Sequence, residues 1–157
     1  MSGSPVPFLA RVPPPLLYAV AFFLGILLQR GLSRGVAPDV PGVVVAIGIG
    51  LSVAALLLAL AAAGLLVRHR TTMVPWREST TIVVQGPYRL TRNPMYVALT
   101  LGYLGIALWT RTWWALALLP VPVLLVDRFV IPMEEAQLRR RFGAVYEEYC
   151  GRVRRWL

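Results

Sequence analysis

Apolar residues fall in four runs, and the polar positions between them are confined to a few turns. The first run, about Leu16 to Leu28, ends at Gln29 and Arg30. With Pro14 and Pro15 as its first turn it approaches spanning length, which places a first crossing at 16–30. The second run, Val43 to Val67, is long enough to cross a bilayer with tilt, and Arg68, His69 and Arg70 stop it. Its Gly48, Ser52, Ala55, Ala59, Ala62 and Ala63 are small positions suited to close helix contact. The third run, Met95 to Trp109, and the fourth, Trp113 to Met133, are so tightly joined that they predict a helical hairpin. Arg111 with Trp109, Trp113 and Trp114 marks that turn as an aromatic belt. Pro120, Pro122 and Pro132 interrupt the fourth run, and Pro132 is expected to kink its exit.

After Met133 the period changes. Leu138, Phe142, Val145, Tyr149, Val153 and Trp156 recur at helical spacing while the arginines and glutamates fall largely elsewhere. This predicts an amphipathic tail helix over 134–157, broken at Gly143 and lying on the membrane surface. Residues 1–15 are a proline-rich lead-in without the features of a cleavable signal, 31–41 a loop, and 68–94 a polar loop. The expectation is an all-α polytopic membrane protein, one domain over 1–157, with about four transmembrane helices.

Composition agrees. Hydrophobic residues make up 57% of the 157, more than a soluble domain of this size could hide. The net charge of +9 comes entirely from arginine, since there is no lysine. Arginine beside apolar runs points to anionic lipid rather than nucleic acid. The loop after the second run carries Arg68, Arg70, Arg77, Arg89 and Arg92, and the tail adds six more from Arg139 to Arg155. Arginine-rich short loops stay cytoplasmic, so both termini, the middle loop and the tail are expected on that face. Cys150 is the single cysteine and His69 the single histidine, which leaves no Cys/His metal cluster.

Candidate chemistry gathers where polar groups crowd the mouth of the third run. Tyr88, Arg89, Arg92, Asn93 and Tyr96 lie within a few residues of Pro87 and Pro94, which shape the turn. An arginine fork suits a carboxylate or a phosphate, and Tyr96 sits about one turn beyond Asn93. The same arginines serve equally to hold lipid headgroups and fix topology. Glu134 and Glu135 stand where the fourth run leaves the membrane, and two adjacent carboxylates want a cation or a proton. A purely structural arrangement would pair Glu135 with Arg139 and leave Glu134 in water. Asp127 and Arg128 read as a mutual or interhelical ion pair. Arg68-His69-Arg70-Thr71-Thr72 offers a histidine base but reads more simply as a basic stop signal.

In order and spacing the second half resembles the small integral-membrane methyltransferases, the isoprenylcysteine carboxyl methyltransferase family and its phospholipid N-methyltransferase relatives. The matching text is Arg70-Thr71-Thr72 with Pro75, Gly86-Pro87-Tyr88-Arg89 and Arg92-Asn93-Pro94-Met95-Tyr96. After the hairpin follow Glu134-Glu135, Leu138, Phe142-Gly143, Tyr146, Tyr149 and Val153-Arg154-Arg155. The resemblance implies S-adenosylmethionine as cofactor and a lipid-like acceptor entering from the bilayer. It implies a cofactor site of Tyr88, Arg89, Arg92, Asn93, Pro94, Tyr96, Glu134 and Glu135, closed by a tail whose Tyr146 and Tyr149 contribute. Arg92, Asn93, Tyr96 and Glu134 are the residues expected to carry catalysis, with no metal. The family often has histidine at Asn93, and asparagine cannot exchange a proton near neutral pH, so holding the cofactor is its expected role. Two other readings are an NADPH-dependent membrane reductase of the sterol reductase type and a non-enzymatic membrane scaffold or lipid-binding protein.

Overall fold

A computed structural model describes residues 12–32, 39–69 and 82–157. Arg70, Thr71, Thr72, Pro75 and Arg77, and most of the proline-rich lead-in, lie outside the described residues. The described elements are helical throughout. They comprise α1 (Pro14–Leu32), α2 (Gly42–Arg68), a 3-10 turn (Gly86–Arg89) and α3 (Pro94–Trp109), then α4 (Trp113–Leu118), α5 (Pro120–Leu125), a π turn (Val126–Val130), α6 (Ile131–Phe142) and α7 (Ala144–Arg152).

Among the described residues three helices are long and apolar enough to cross a membrane: α1, α2, and the continuous stack from Trp113 to Phe142. The shorter apolar α3 rises about 24 Å, somewhat less than the ~30 Å hydrocarbon core. Leu16, Phe23 and Leu27 on α1, Ile47, Val53 and Leu57 on α2, and Val121 and Leu124 on α5 are exposed. In an integral membrane protein these are the lipid-facing sides. Trp109 and Trp113 are also exposed, at the hairpin end where an aromatic belt is expected.

The helices alternate in direction. Gly48 of α2 lies against Gly105 and Trp109, Ala55 lies near Gly102, and Leu65 lies near Gly86, so α2 runs antiparallel to α3. Buried positions on α2 are Gly48, Ala55 and Ala62, one every seven residues. That stripe of small residues is what a helix apolar on all sides offers to a close neighbour. A Cβ on Gly105 would stand 2.5 Å from Ser52 Oγ and 2.7 Å from the Gly48 carbonyl oxygen, so backbone approaches backbone here. Gly105→Val should therefore cost about 1–3 kcal/mol by forcing the two helices apart. A fall in melting temperature in detergent checks it, and an unchanged melt would show that the contact is slack.

The core sits between α1, α3 and the fourth crossing: Tyr18, Tyr96, Tyr103, Val126, Val130 and Ile131 are buried together. Tyr103 packs edge-on against Tyr18 and Phe22 and donates its hydroxyl to the Ala115 carbonyl at 2.8 Å. At the hairpin, Arg111 takes φ 57°, an uncommon setting for a non-glycine residue. Gln29 Nε2 donates to the Arg111 carbonyl at 2.9 Å, which ties this turn to the far end of α1 and accounts for a buried glutamine.

Two boundaries differ from expectation. The helix of the fourth crossing does not end at Met133 but continues through α6 to Phe142. Pro132 cannot donate a backbone bond, yet it stands in the first turn of α6, and the preceding π turn absorbs the irregularity: Ile131 N–H donates to the Val126 carbonyl. The tail does break at Gly143 (φ 49°), but its helix ends at Arg152 rather than running to Trp156. Val153 is extended, because the residues after it pair with the stretch before α3 instead of with their own helix.

Candidate active site

The site is built where three elements meet: the 3-10 turn leading into α3, the start of α6, and the tail. Pro87 is the second residue of the turn and Pro94 begins α3, both at positions where a missing N–H costs nothing. Between them Thr91, Arg92 and Asn93 are extended enough to pair with the tail. Arg92 N–H donates to the Arg154 carbonyl at 2.9 Å. Thr91 Oγ1 and Asn93 Nδ2 both donate to the Arg155 carbonyl, at 3.0 and 2.8 Å. Three bonds thus strap residues 153–157 across the mouth of α3.

The two glutamates part company. Glu135 is 3% exposed and lies among three guanidinium groups. Arg155 grips it with a fork, Nε to Oε1 at 3.1 Å and Nη2 to Oε2 at 2.9 Å. Arg92 Nη2 lies 3.1 Å from Oε1, and Arg139 Nη1 lies 3.6 Å from Oε2. Glu134 instead faces α3, where Tyr96 Oη donates to its Oε1 at 2.7 Å. The structural alternative of Glu134 in water therefore fails, and Arg139 is only one of three partners of Glu135.

Tyrosines line the rest. Tyr149 is buried and donates its hydroxyl to the Tyr88 carbonyl at 2.6 Å, joining α7 to the 3-10 turn. Burial pushes its phenol up to about 12, against the opposing pull of Arg92. Burial likewise raises the Tyr88 phenol, with added repulsion from Tyr149 and Glu134. Both therefore stay neutral near neutral pH, and Tyr149 acts as a hydrogen-bond donor. Tyr146 is buried beneath the Arg139 guanidinium, which lies 5.9 Å from its ring centre.

Of the residues singled out from the sequence, Tyr88, Arg92, Tyr96, Glu134, Glu135 and Tyr149 converge. Pro94 is buried and shapes the turn, and Asn93 spends its amide donor on the tail. Arg89 is exposed, at the rim. Sequence reasoning missed Arg155 as the principal partner of Glu135, and Trp156, whose Nε1 donates to Asp127 at 2.9 Å. Asp127 does lie 3.7 Å from Arg128, but its better contact is across to the tail. The tail periodicity placed Trp156 on an apolar helix face and so concealed this bond. Thr91 gave no signal beyond its position before Arg92. Among the described residues no group of three or more His, Cys, Asp or Glu side chains is placed to hold a metal ion.

One polar group in the site is left over. Arg92 is largely buried, its Nη2 is taken by Glu135, and its Nε has no partner among the described residues. A buried guanidinium N–H without an acceptor is costly, and an anionic ligand group would satisfy it.

The chain is 35% identical over 77 residues to the cobalt-zinc-cadmium resistance protein CzcN of Cupriavidus metallidurans, which is 49% of this chain and 35% of that protein. It is 32% identical over 77 residues to the nickel-cobalt-cadmium resistance protein NccN of Alcaligenes xylosoxydans xylosoxydans, 49% of this chain and 36% of that one. The chain thus spans about a third of the length of these two relatives. An uncharacterized protein of Haemophilus influenzae is 36% identical over 63 residues, its whole length and 40% of this chain. No solved structure matches. The phospholipid methyltransferase family profile matches residues 43–145, from the start of α2 through the hairpin and both glutamates into α7. By that match the chain belongs to the phospholipid methyltransferase family.

Proposed function

We propose that this protein transfers a methyl group from S-adenosylmethionine to a lipophilic acceptor at the cytoplasmic face of the membrane. The observation that carries this is the pairing, within the family-matched segment, of Tyr96 and Glu134 beside the half-satisfied Arg92. S-adenosylmethionine has a carboxylate and two cationic centres, a sulfonium and an ammonium. The unpartnered Arg92 Nε suits the carboxylate, and the Glu134 carboxylate suits a cation. These residues therefore fit the cofactor, with Tyr88 and Tyr149 beside them. The cofactor, when bound, supplies an electrophilic methyl group.

The protein's own contribution is then positioning and exclusion of water. The strap over 91–93 and the buried Tyr146 and Tyr149 provide a cover. Glu134 lies where it can take a proton from an amine acceptor, with Tyr96 holding the carboxylate in place. A carboxylate acceptor needs no such base. Asn93, bound to the strap, is a positioning residue. Cytoplasmic placement is supported by the arginines that collect at this end: Arg68, Arg89, Arg92, Arg139 to Arg141, Arg152, Arg154 and Arg155.

Calorimetric titration of the detergent-purified chain tests the reading. S-adenosylmethionine and S-adenosylhomocysteine should bind and NADPH should give no binding heat. Arg92→Lys keeps the charge beside Glu135 but loses the unpartnered Nε donor, and should weaken the adenosyl ligands by about tenfold. Absence of adenosyl binding, or binding indifferent to Arg92→Lys, sinks the site as drawn.

A further inference from the structure

Arg155 joins three parts of the molecule. Its carbonyl accepts from Thr91 Oγ1 and Asn93 Nδ2 ahead of α3. Its Nε and Nη2 fork Glu135 of α6. Its Nη1 lies 3.6 Å from Oδ1 of Asp127 in the π turn, the oxygen that also takes the Trp156 indole N–H at 2.9 Å. On an unbroken α-helix, Asp127 and Glu135 would stand roughly 80° apart around the axis. The π turn closes i→i+5 and so takes up one extra residue, which leaves the remaining spacing close to two whole turns. The two carboxylates therefore fall on one face, where a single guanidinium reaches both.

The consequence falls on Arg92. A guanidinium has one edge, Nε with Nη2, that meets a carboxylate side-on. Arg155 presents that edge to Glu135 and bonds both of its oxygens. Arg92 reaches Oε1 through Nη2 at 3.1 Å, and its Nε has no partner among the described residues. Arg92 is the more deeply buried of the two, so burial alone would give the fork to Arg92. Arg155 keeps it because its backbone is tied at 91–93 and its side chain is steadied by Asp127. Trp156, bonded to the same Asp127 and packed on the core, fixes the chain at that point. The third arginine, Arg139, has its shorter contact with Glu147, at 2.8 Å.

Building on the adenosyl-cofactor reading, we infer that Asp127, Arg155 and Trp156 are positioning residues that keep Glu135 occupied, so that Arg92 Nε stays open for the ligand's carboxylate. Arg155 acts through Glu135 and Arg92 and makes no contact with the ligand. Without its fork, Arg92 turns its whole edge onto Glu135 and the site closes on itself.

The full chain labelled with 15N-arginine, in detergent micelles, gives a readout that needs no ligand. The Arg92 Nε–H signal is assigned by its loss in Arg92→Lys. Arg155→Lys keeps the charge beside Glu135 but cannot fork it. The Arg92 Nε–H proton should then move downfield as it bonds the freed oxygen. Asp127→Asn, which keeps an acceptor for Trp156, should move it the same way by less. An unmoved signal in Arg155→Lys overturns the proposal. Calorimetry with S-adenosylhomocysteine gives a second readout. Arg155→Lys should weaken binding by about tenfold, the scale of one charge-assisted hydrogen bond. Because the effect runs through Arg92, the double variant Arg92→Lys/Arg155→Lys should bind no more weakly than Arg92→Lys alone. A further tenfold loss in the double variant would mean general loosening of the fold and would also overturn it. Arg152→Lys, exposed and paired with Glu148, should change neither readout. A shifted signal without any adenosyl binding upholds Arg155 as the residue that keeps Arg92 Nε open and counts against the methyltransferase reading. Normal binding with an unmoved signal does the reverse.

Discussion

Alanine in place of Glu135 will release the tail and cost the protein about 3–5 kcal/mol. Three guanidinium groups lose their counter-charge together, but not equally. Arg139 and Arg155 are 45% and 36% exposed at the side chain and can turn to water. Arg92 is 12% exposed and cannot, so most of the penalty falls on it. The strap is then held only by its bonds to Thr91, Arg92 and Asn93. Melting in detergent should fall sharply, and trypsin should cut after Arg154, whose carbonyl the strap ties to the Arg92 N–H. Glu135→Gln, which keeps shape and one acceptor, should fall between. An unchanged melt and an unchanged tryptic pattern would show that the cluster is a surface network worth little.

The second large effect is expected at the neighbouring residue and is of another kind. Glu134→Gln should leave the fold and the tryptic pattern intact, because among the described residues no arginine pairs with Glu134 and glutamine can still accept the Tyr96 proton. On the proposed reading methyl transfer, however, should fall by about 10²–10³-fold, since Glu134 would face the cationic cofactor and serve as proton acceptor. Comparing an amine with a carboxylate acceptor separates the two, since only the amine needs deprotonation. Single-turnover assays of both, with retained S-adenosylhomocysteine binding as the folding control, provide the measurement. Activity equal to that of the unaltered protein would remove Glu134 from the chemistry. Adjacent residues would thus divide the work, one holding the structure and one carrying the reaction.

The crossings were legible in the sequence because a bilayer demands long apolar helices, and little else satisfies that demand. Val43 to Val67 became Gly42–Arg68, and Met95 to Trp109 became Pro94–Trp109. The small positions on α2 were legible as a set, but which of them meet α3 was not. A helix apolar on every side carries no phase, and only the structure selects Gly48, Ala55 and Ala62. The site was legible as two clusters whose shared membrane face followed from the arginines. The division between Glu134 and Glu135 was not, because it depends on how the fourth crossing is rotated. Arg155 was hidden for a related reason: the tail reverses at Gly143, and spacing along a chain says nothing about contacts made after a reversal. Tyr18 gave no signal either, since a tyrosine near a helix start reads as an interfacial anchor.

The π turn at Val126–Val130 now acquires a wider meaning. A residue advances an α-helix by roughly 100°, so a wide turn lets the part after it take a heading unlike that of the part before. Below the turn, α4 and α5 are set by packing against α1. Above it, α6 is set by Tyr96 and Arg92. The turn acts as a swivel joint in a single crossing, with the anchoring half and the half that carries the two glutamates aimed separately. Membrane-facing residues below it can vary with bilayer thickness or lipid without disturbing the carboxylates. Loss of one residue from the joint would leave every crossing in place and point both glutamates away from their partners.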